Sequence, residues 1–295
     1  MKESMEENRE ESSSADHYPP PNHILRDLRM SLKFQGQGRA VIRAPVVPEI
    51  LTPDGSLQAG AVATIVDILG GALTFRAVYP DWMATAALSV HLSGRRASET
   101  IAATGEVIRV GRTMAIIDVD IREEVGAFDE PAKPIGTAMV SGSRLPRRKN
   151  APVLAAAEET SETVHFGIEG SGLKRPFRDA AGVRILDEAE GVVELDLQEY
   201  VRNSVGVLQG GMIAILSDTA GEMAAGAEAR RPMTTKDLTI QYLSQGKRGP
   251  FRTRARVVRT TDDTALTRVE VIDRGMQDRL IAVVMNTAVS NSKGG

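Results

Sequence analysis

The feature that most constrains the fold of this chain is an internal repeat. Segment 52–70, TPDGSLQAGAVATIVDILG, aligns without a gap on segment 203–221, NSVGVLQGGMIAILSDTAG, at an offset of 151 residues. Seven of the nineteen positions are identical: Gly55/Gly206, Leu57/Leu208, Gln58/Gln209, Gly60/Gly211, Ala63/Ala214, Asp67/Asp218 and Gly70/Gly221. At an offset of 150, TAALSVHL (85–92) pairs with TKDLTIQY (235–242) and VIR (107–109) with VVR (257–259). Self-similarity at one fixed spacing marks two copies of one folding unit. A length of 295 residues suits two domains of about 100–200 residues each. The expected division is a disordered tail at 1–21, a first domain at 22–146, a charged, alanine-rich linker at 147–163 and a second domain at 164–292.

Each copy reads in the same order. A short helix is expected over 22–30 in the first copy. A strand follows (40–47 or 191–197), then a glycine-containing turn and an apolar helix (60–78 or 211–227). Four segments rich in β-branched residues come next, at 85–92, 101–110, 113–122 and 135–143, and at 235–243, 251–259, 265–273 and 280–290. The two helices are apolar on nearly every face, which requires burial. One buried helix per set of strands gives an α+β class, with a curved antiparallel sheet wrapped around a central helix in each copy.

The repeated residues also carry chemistry. Asp67 and Asp218 sit at the same place inside apolar helices, where a carboxylate is costly unless it is paired or hydrogen-bonded. A desolvated carboxyl has a raised pKa and suits a general base or a nucleophile; a structural Asp bonded to neighbouring backbone is the alternative. Gln58-Ala59-Gly60 and Gln209-Gly210-Gly211 open the two helices, where free amides and the positive end of the helix dipole lie. Such a site can hold a developing oxyanion, or it can be a turn without a ligand. Asp67 lies seven residues beyond Gly60, roughly 10 Å along the axis, so one reacting carbon cannot touch both groups of one helix. Combining them requires two antiparallel central helices, the start of each against the Asp of the other.

The order Asn-x5-Gln-Gly-Gly-x6-Asp, from Asn203 to Asp218, resembles that of the hotdog-fold acyl-CoA thioesterases of the phenylacetyl-CoA type. Their usual motif has His in place of Gln, with Ser or Thr at the start of the next strand. The resemblance extends over about 240 residues and implies a tandem, or double, hotdog. It implies hydrolysis of a small or medium acyl-CoA to free acid and CoA. The Asp would act as base or nucleophile, the helix amides would hold the thioester oxygen, and the Asn and Ser/Thr would orient the carbonyl or the water. Carried over by position, one composite site joins Asn203, Gln209, Gly210 and Gly211 to Asp67 and Thr85. The other joins Thr52, Gln58, Ala59 and Gly60 to Asp218 and Thr235. The first keeps the Asn and both glycines and is expected to be the better catalyst. Gln58 and Gln209 can hydrogen-bond but cannot titrate near neutral pH, which keeps open a non-catalytic acyl-CoA or lipid-like ligand binder, or a structural partner in a larger assembly.

The remaining features narrow the field. With 36 Lys+Arg against 39 Asp+Glu, the net charge of −3 lacks the basic excess of a nucleic-acid binder. The absence of cysteine excludes disulfides, thiolate metal sites and a cysteine nucleophile. Of the four histidines (His17, His23, His91, His165), none are paired at helical ligand spacing, so no metal and no cofactor are expected. The acidic start lacks the basic, then apolar, pattern of a secretory signal. The apolar runs near 57–75 and 207–227 are interrupted by charged residues and glycines, so no membrane segment is expected and the cytoplasm is the expected location. No Gly-x-Ser-x-Gly elbow or P-loop is present, and Gly36-Gln37-Gly38 is too short for a dinucleotide fingerprint. His91 shares a strand face with Thr85 and Ser89; a surface or packed role is expected over a pocket role. Arg95, Arg96, Arg109, Arg112, Lys247, Arg248 and Arg259 are candidates to meet CoA phosphates. A homodimer of the tandem chain is expected from the resemblance.

Overall fold

The computed structural model describes residues 18–94, 97–124, 133–146 and 162–290. Most of the expected tail (1–17), most of the expected linker (147–161), and Arg95 and Arg96 lie outside the described residues. The first copy contains α1 (Ile24–Asp27), β1 (Ser31–Gly36), β2 (Arg39–Pro45), the central helix α2 (Ala59–Val78), β3 (Trp82–Leu92), β4 (Thr100–Val110), β5 (Met114–Glu124) and β6 (Lys133–Leu145). After β7 (Thr163–His165) the second copy contains α3 (Phe177–Ala181), β8 (Arg184–Asp187), β9 (Val192–Leu195), the central helix α4 (Gly210–Ala229), β10 (Met233–Tyr242), β11 (Phe251–Thr260), β12 (Thr264–Asp273) and β13 (Arg279–Ser290).

The strands form one antiparallel sheet in the order β7-β1-β2-β4-β5-β6-β3-β10-β13-β12-β11-β9-β8. Apart from β7, the two halves of that order are mirror images about the β3–β10 pair, as a duplication with pseudo-twofold symmetry demands. The sequence reading treats the copies as separate sheets; the structure fuses them. Strands β3 and β10 pair from Asp237 opposite His91 to Gln241 opposite Ala87, so each copy's open edge is closed by the other. Burial alternates strictly along β5 and most of β12, which places one face of the sheet on the central helices and the other toward solvent.

Helices α2 and α4 are buried on most sides, from Ala59 to Leu73 with few breaks in α2 and from Gly211 to Gly221 in α4. By length and apolarity alone α2 could cross a bilayer; here that apolarity faces the strands that enclose it. Close contact between helix and sheet depends on glycine. A Cβ at Gly70 would come within 2.6 Å of Val140, and one at Gly221 within 2.6 Å of the Asn286 side chain.

Three short strands, β1, β7 and β8, were not foreseen. β7 adds to β1 at the outer edge of the first copy's sheet, so residues 163–165 extend the first copy although they border the second in sequence. Residues 18–21, assigned to the tail from sequence, are held in place: the Tyr18 hydroxyl donates to the Arg202 carbonyl at 3.2 Å, and Arg26 donates to the carbonyls of Pro19, Pro20 and Phe166. His23 Nδ1 accepts from the Leu25 amide, so its Nε2 carries the proton that meets the Arg202 carbonyl at 2.7 Å. The first copy's amino-terminal segment is thereby tied to the loop that precedes α4.

The helix–sheet contact gives a paired prediction. Gly70→Ala forces a methyl group into Val140 and is expected to cost about 1–3 kcal/mol. Gly71→Ala, whose nearest neighbour is a Met83 methyl at 3.9 Å, is expected to be neutral or to gain up to about 1 kcal/mol from helix propensity. Urea unfolding midpoints measure both; equal losses at the two positions would contradict the packing.

Candidate active site

The N-cap residues Gln58 and Gln209 make no side-chain capping bond to their helices, so the first-turn amides of α2 and α4 look outside their own helix for acceptors. The two helices lie antiparallel, and each start meets the acid of the other. The Gly60 amide donates to Asp218 Oδ2 at 2.7 Å, and the Gly211 amide hydrogen-bonds Asp67. Such an approach admits no side chain at the crossing. A Cβ on Gly60 would lie 2.8 Å from the Ile215 Cα, and one on Gly211 would lie 2.5 Å from the Thr64 side chain. Residues 64 and 215 are equivalents at the 151-residue offset, so these are the two halves of one symmetric contact. The Thr64 hydroxyl bridges it, donating to the carbonyls of Gly60 at 2.8 Å and Gly211 at 3.2 Å.

Around Asp67 the structure brings together most of the first composite site. The Thr85 hydroxyl donates to Oδ1 at 2.9 Å, and Gln209 Nε2 reaches Oδ2 at 3.4 Å. A Cβ at Gly210 would fall 2.6 Å from Oδ2, so that position must be glycine for anything to lie between the helix start and the acid. Burial raises the Asp67 carboxyl to about 6, against the lowering effect of the Thr85 hydroxyl and the Gly211 amide. Gln209 is buried, and its Oε1 has no hydrogen-bond partner. The phenols of Tyr18 and Tyr242 are pushed upward by burial and, second, by the charge of Asp67; Tyr242 also bonds the Gly210 carbonyl at 3.3 Å.

The second composite site is built differently. Asp218 is fully buried, whereas Asp67 keeps 8% of its surface exposed. Ala59 stands where Gly210 stands in the first. Asp218 Oδ1 and the Thr235 hydroxyl have no hydrogen-bond partner of good geometry, although that hydroxyl lies near enough to favour the ionised acid; burial outweighs both it and the Gly60 amide and raises the carboxyl. Glu222, one helical turn beyond Asp218, accepts from the Thr235 amide at 2.7 Å. Its carboxyl is pushed up by burial and by the charge of Asp218. Glu222 was missed from sequence although its i, i+4 spacing from Asp218 puts both acids on one face; the first copy has Gly71 there.

Among the described residues, the remaining expected site residues make no hydrogen bond to Asp67 or Asp218. Asn203 Oδ1 accepts from the amides of Val205 and Val207, at 3.0 and 3.1 Å, and thus fastens the turn before α4; no hydrogen bond ties it to Asp67. Thr52 plays the same part before α2, bonding Asp54 and the Ser56 carbonyl. Gln58 is half-buried, and its Oε1 is without a partner. His91 is exposed and pairs with Asp237 across the seam between the copies at 2.7 Å. Arg109, Arg112, Lys247, Arg248 and Arg259 are exposed. Tyr18 and Tyr242 carry no motif; their place beside Asp67 follows from the tertiary fold.

The raised carboxyl makes a stability prediction. A folded-state value near 6, above the ordinary 3.8, means that the folded protein binds more protons than the unfolded chain between these values, so this group's contribution falls as pH rises through that window. Asp67→Asn is therefore expected to be more stable than the wild type at pH 7, by on the order of 1–3 kcal/mol, and to lose that advantage below pH 4. Denaturation midpoints across pH test this; a pH-independent difference would contradict it.

Residues 205–279, from the turn before α4 into β13, match the thioesterase superfamily model. No curated protein sequence matches the chain. Among solved structures, an acyl-ACP thioesterase from Bacteroides thetaiotaomicron is similar at a TM-score of 0.56 and 12% identity, over 85% of this chain and 98% of that one. The tesB protein of Mycobacterium avium subs paratuberculosis is similar at 0.60 and 11% identity, over 91% and 98%. A hotdog-fold protein of unknown function from Alicyclobacillus acidocaldarius is similar at 0.61 and 12% identity, over 92% and 99%. Those identities speak to the fold, and the coverage shows that whole chains correspond, both copies included. The chain is a double-hotdog protein, and its second copy carries the thioesterase superfamily match.

Proposed function

We propose that the chain hydrolyses the thioester of a small or medium acyl-CoA at the Asp67 site. The observation that carries this reading is the meeting of a buried carboxyl, raised to about 6, with the glycine-lined start of α4. Near neutral pH such a group is largely ionised yet basic enough to take a proton. Asp67 removes a proton from water, and the resulting hydroxide adds to the thioester carbon. The Gly210 amide, at the start of α4, receives the oxyanion in a site largely closed to water. Collapse of the tetrahedral adduct breaks the C–S bond, and the proton on Asp67 passes to the CoA thiolate, leaving free acid and CoA.

The unpartnered Oε1 of Gln209 suits this scheme. A carbonyl oxygen buried beside Asp67 is a second acceptor for the attacking water, and two acceptors fix the water's orientation. Nothing in that role requires a titrating side chain, so glutamine in place of histidine is compatible with catalysis. Thr85 orients the carboxylate. The Asp218 site has a methyl group at Ala59 and a fully buried acid, which argue against substrate entry there.

The test is thiol release from a panel of acyl-CoA esters. Asp67→Asn is expected to lower kcat by about 10²-fold or more, while Asp218→Asn, checked for folding by its melting profile, retains most of the activity. In the wild type kcat/KM is expected to fall as pH drops through about 6, because the base is then protonated. Activity that survives Asp67→Asn but is lost in Asp218→Asn would reverse the assignment. Tight CoA-ester binding with no hydrolysis by the wild type would replace it with the ligand-binder reading.

A further inference from the structure

Gly210 carries a constraint that the rest of α4 does not. A Cβ there would lie 2.6 Å from Asp67 Oδ2, so the residue must be glycine, and it has no side chain to restrain its own torsions. Its amide and its carbonyl nevertheless have to keep fixed directions if the helix start is to serve both the acid and a substrate. A group outside α4 has to hold it.

The Tyr242 hydroxyl, at the end of β10, donates to the Gly210 carbonyl at 3.3 Å. That carbonyl and the Gly211 amide belong to one planar peptide, so fixing the first fixes the second. The Gly211 amide is the one that hydrogen-bonds Asp67. A carbonyl that accepts a hydrogen bond also makes the amide of its own peptide a stronger donor. The phenol therefore acts on the carboxyl through the peptide between them. The other groups that face Asp67 are Tyr18 from the amino-terminal segment, which also titrates, and Thr85 from β3 and Gln209 before α4, which do not. The Tyr18 hydroxyl donates to the Arg202 carbonyl instead.

The first copy provides the comparison. At the repeat offsets Gly210 corresponds to Ala59 and Tyr242 to Leu92. Ala59 has a methyl group that narrows its own torsions, and Leu92 offers no hydroxyl. Glycine comes with the phenol and alanine comes without it, while both copies build the same helix against the same strands. Leu92 is buried, so a hydrocarbon satisfies the fold at this place. The Tyr242 hydroxyl answers to a need of the Asp67 site.

We propose that Tyr242 is a positioning residue of the Asp67 site: its hydroxyl holds the Gly210 carbonyl, which keeps the Gly210 amide aimed at the thioester oxygen and the Gly211 amide on Asp67. Its part in turnover rests on the hydrolase reading above; its hold on the carboxyl is a property of the folded chain alone.

The test is Tyr242→Phe in the full chain, with Tyr18→Phe in parallel and melting profiles to check folding. Tyr242→Phe is expected to lower kcat about fivefold or more while KM changes less than about twofold. The Asp67 carboxyl midpoint, followed by carbon NMR, is expected to rise from about 6 by about half a pH unit, because a weaker Gly211 donor favours the ionised acid less. The acid limb of kcat/KM moves with it. Tyr242→Leu, which places the first copy's residue there, is read in the same way. Tyr18→Phe removes the other phenol without touching the Gly210 carbonyl and is expected to leave the midpoint in place. An Asp67 midpoint unmoved in both Tyr242 variants, an equal shift in Tyr18→Phe, or a loss confined to KM would each overturn the proposal. A wild type that hydrolyses no acyl-CoA would remove the hydrolase reading, and the NMR midpoint would still decide whether Tyr242 holds the peptide.

Discussion

The architecture depends on a reciprocal contact between two buried helices. The amide at the start of each finds its acceptor in the carboxyl of the other, Gly60 with Asp218 and Gly211 with Asp67. A buried amide without a partner and a buried carboxyl without a donor are each costly; here each removes the other's penalty twice over. The contact forms only because the crossing is lined by Gly60 and Gly211, and it fixes the helices as antiparallel. A single copy would leave both groups unsatisfied, which is a physical reason for the fold to occur in pairs. Fusing the copies through β3 and β10 into one sheet closes the remaining open edges.

The copies have since diverged around that shared contact. Gly210 keeps the approach to Asp67 open, while Ala59 puts a methyl group at the corresponding place near Asp218. Glu222 adds a second acid beside Asp218, where the first copy has Gly71. Two carboxyls one turn apart in a buried site cannot both ionise readily, so they titrate as a pair. Tyr242 lies beside Asp67, and its counterpart at the 150-residue offset is Leu92. One scaffold thus presents two acids in different surroundings, one with a residual opening and one sealed.

Much of this was legible in the sequence because duplication makes each copy a control for the other. The central helices, the four long strands of each copy and the antiparallel meeting of Asp with helix start all followed from residues recurring at a fixed offset. Where the reading stopped, the cause is physical. β8 is exposed along its whole length, so it shows no alternation of buried and exposed positions; β7 has only three residues. The β3–β10 seam was hidden because edge strands look like any other strand until they find a partner. Motif position does not reveal what a side-chain oxygen bonds, and the turn before α4 takes that of Asn203. Glu222 was legible in principle, from its spacing to Asp218, and Tyr18 was not, since only the tertiary fold brings the first copy's amino-terminal segment to the second copy's loop.

The helix–acid exchange can be observed directly by following the Gly211 amide nitrogen and the Asp67 carboxyl carbon by NMR in one pH titration. If the amide of α4 is bonded to the acid of α2, both signals move together with a shared midpoint near 6. A Gly211 amide that stays still while Asp67 titrates, or an Asp67 midpoint near the ordinary 3.8, would show that the two helices do not complete each other in solution.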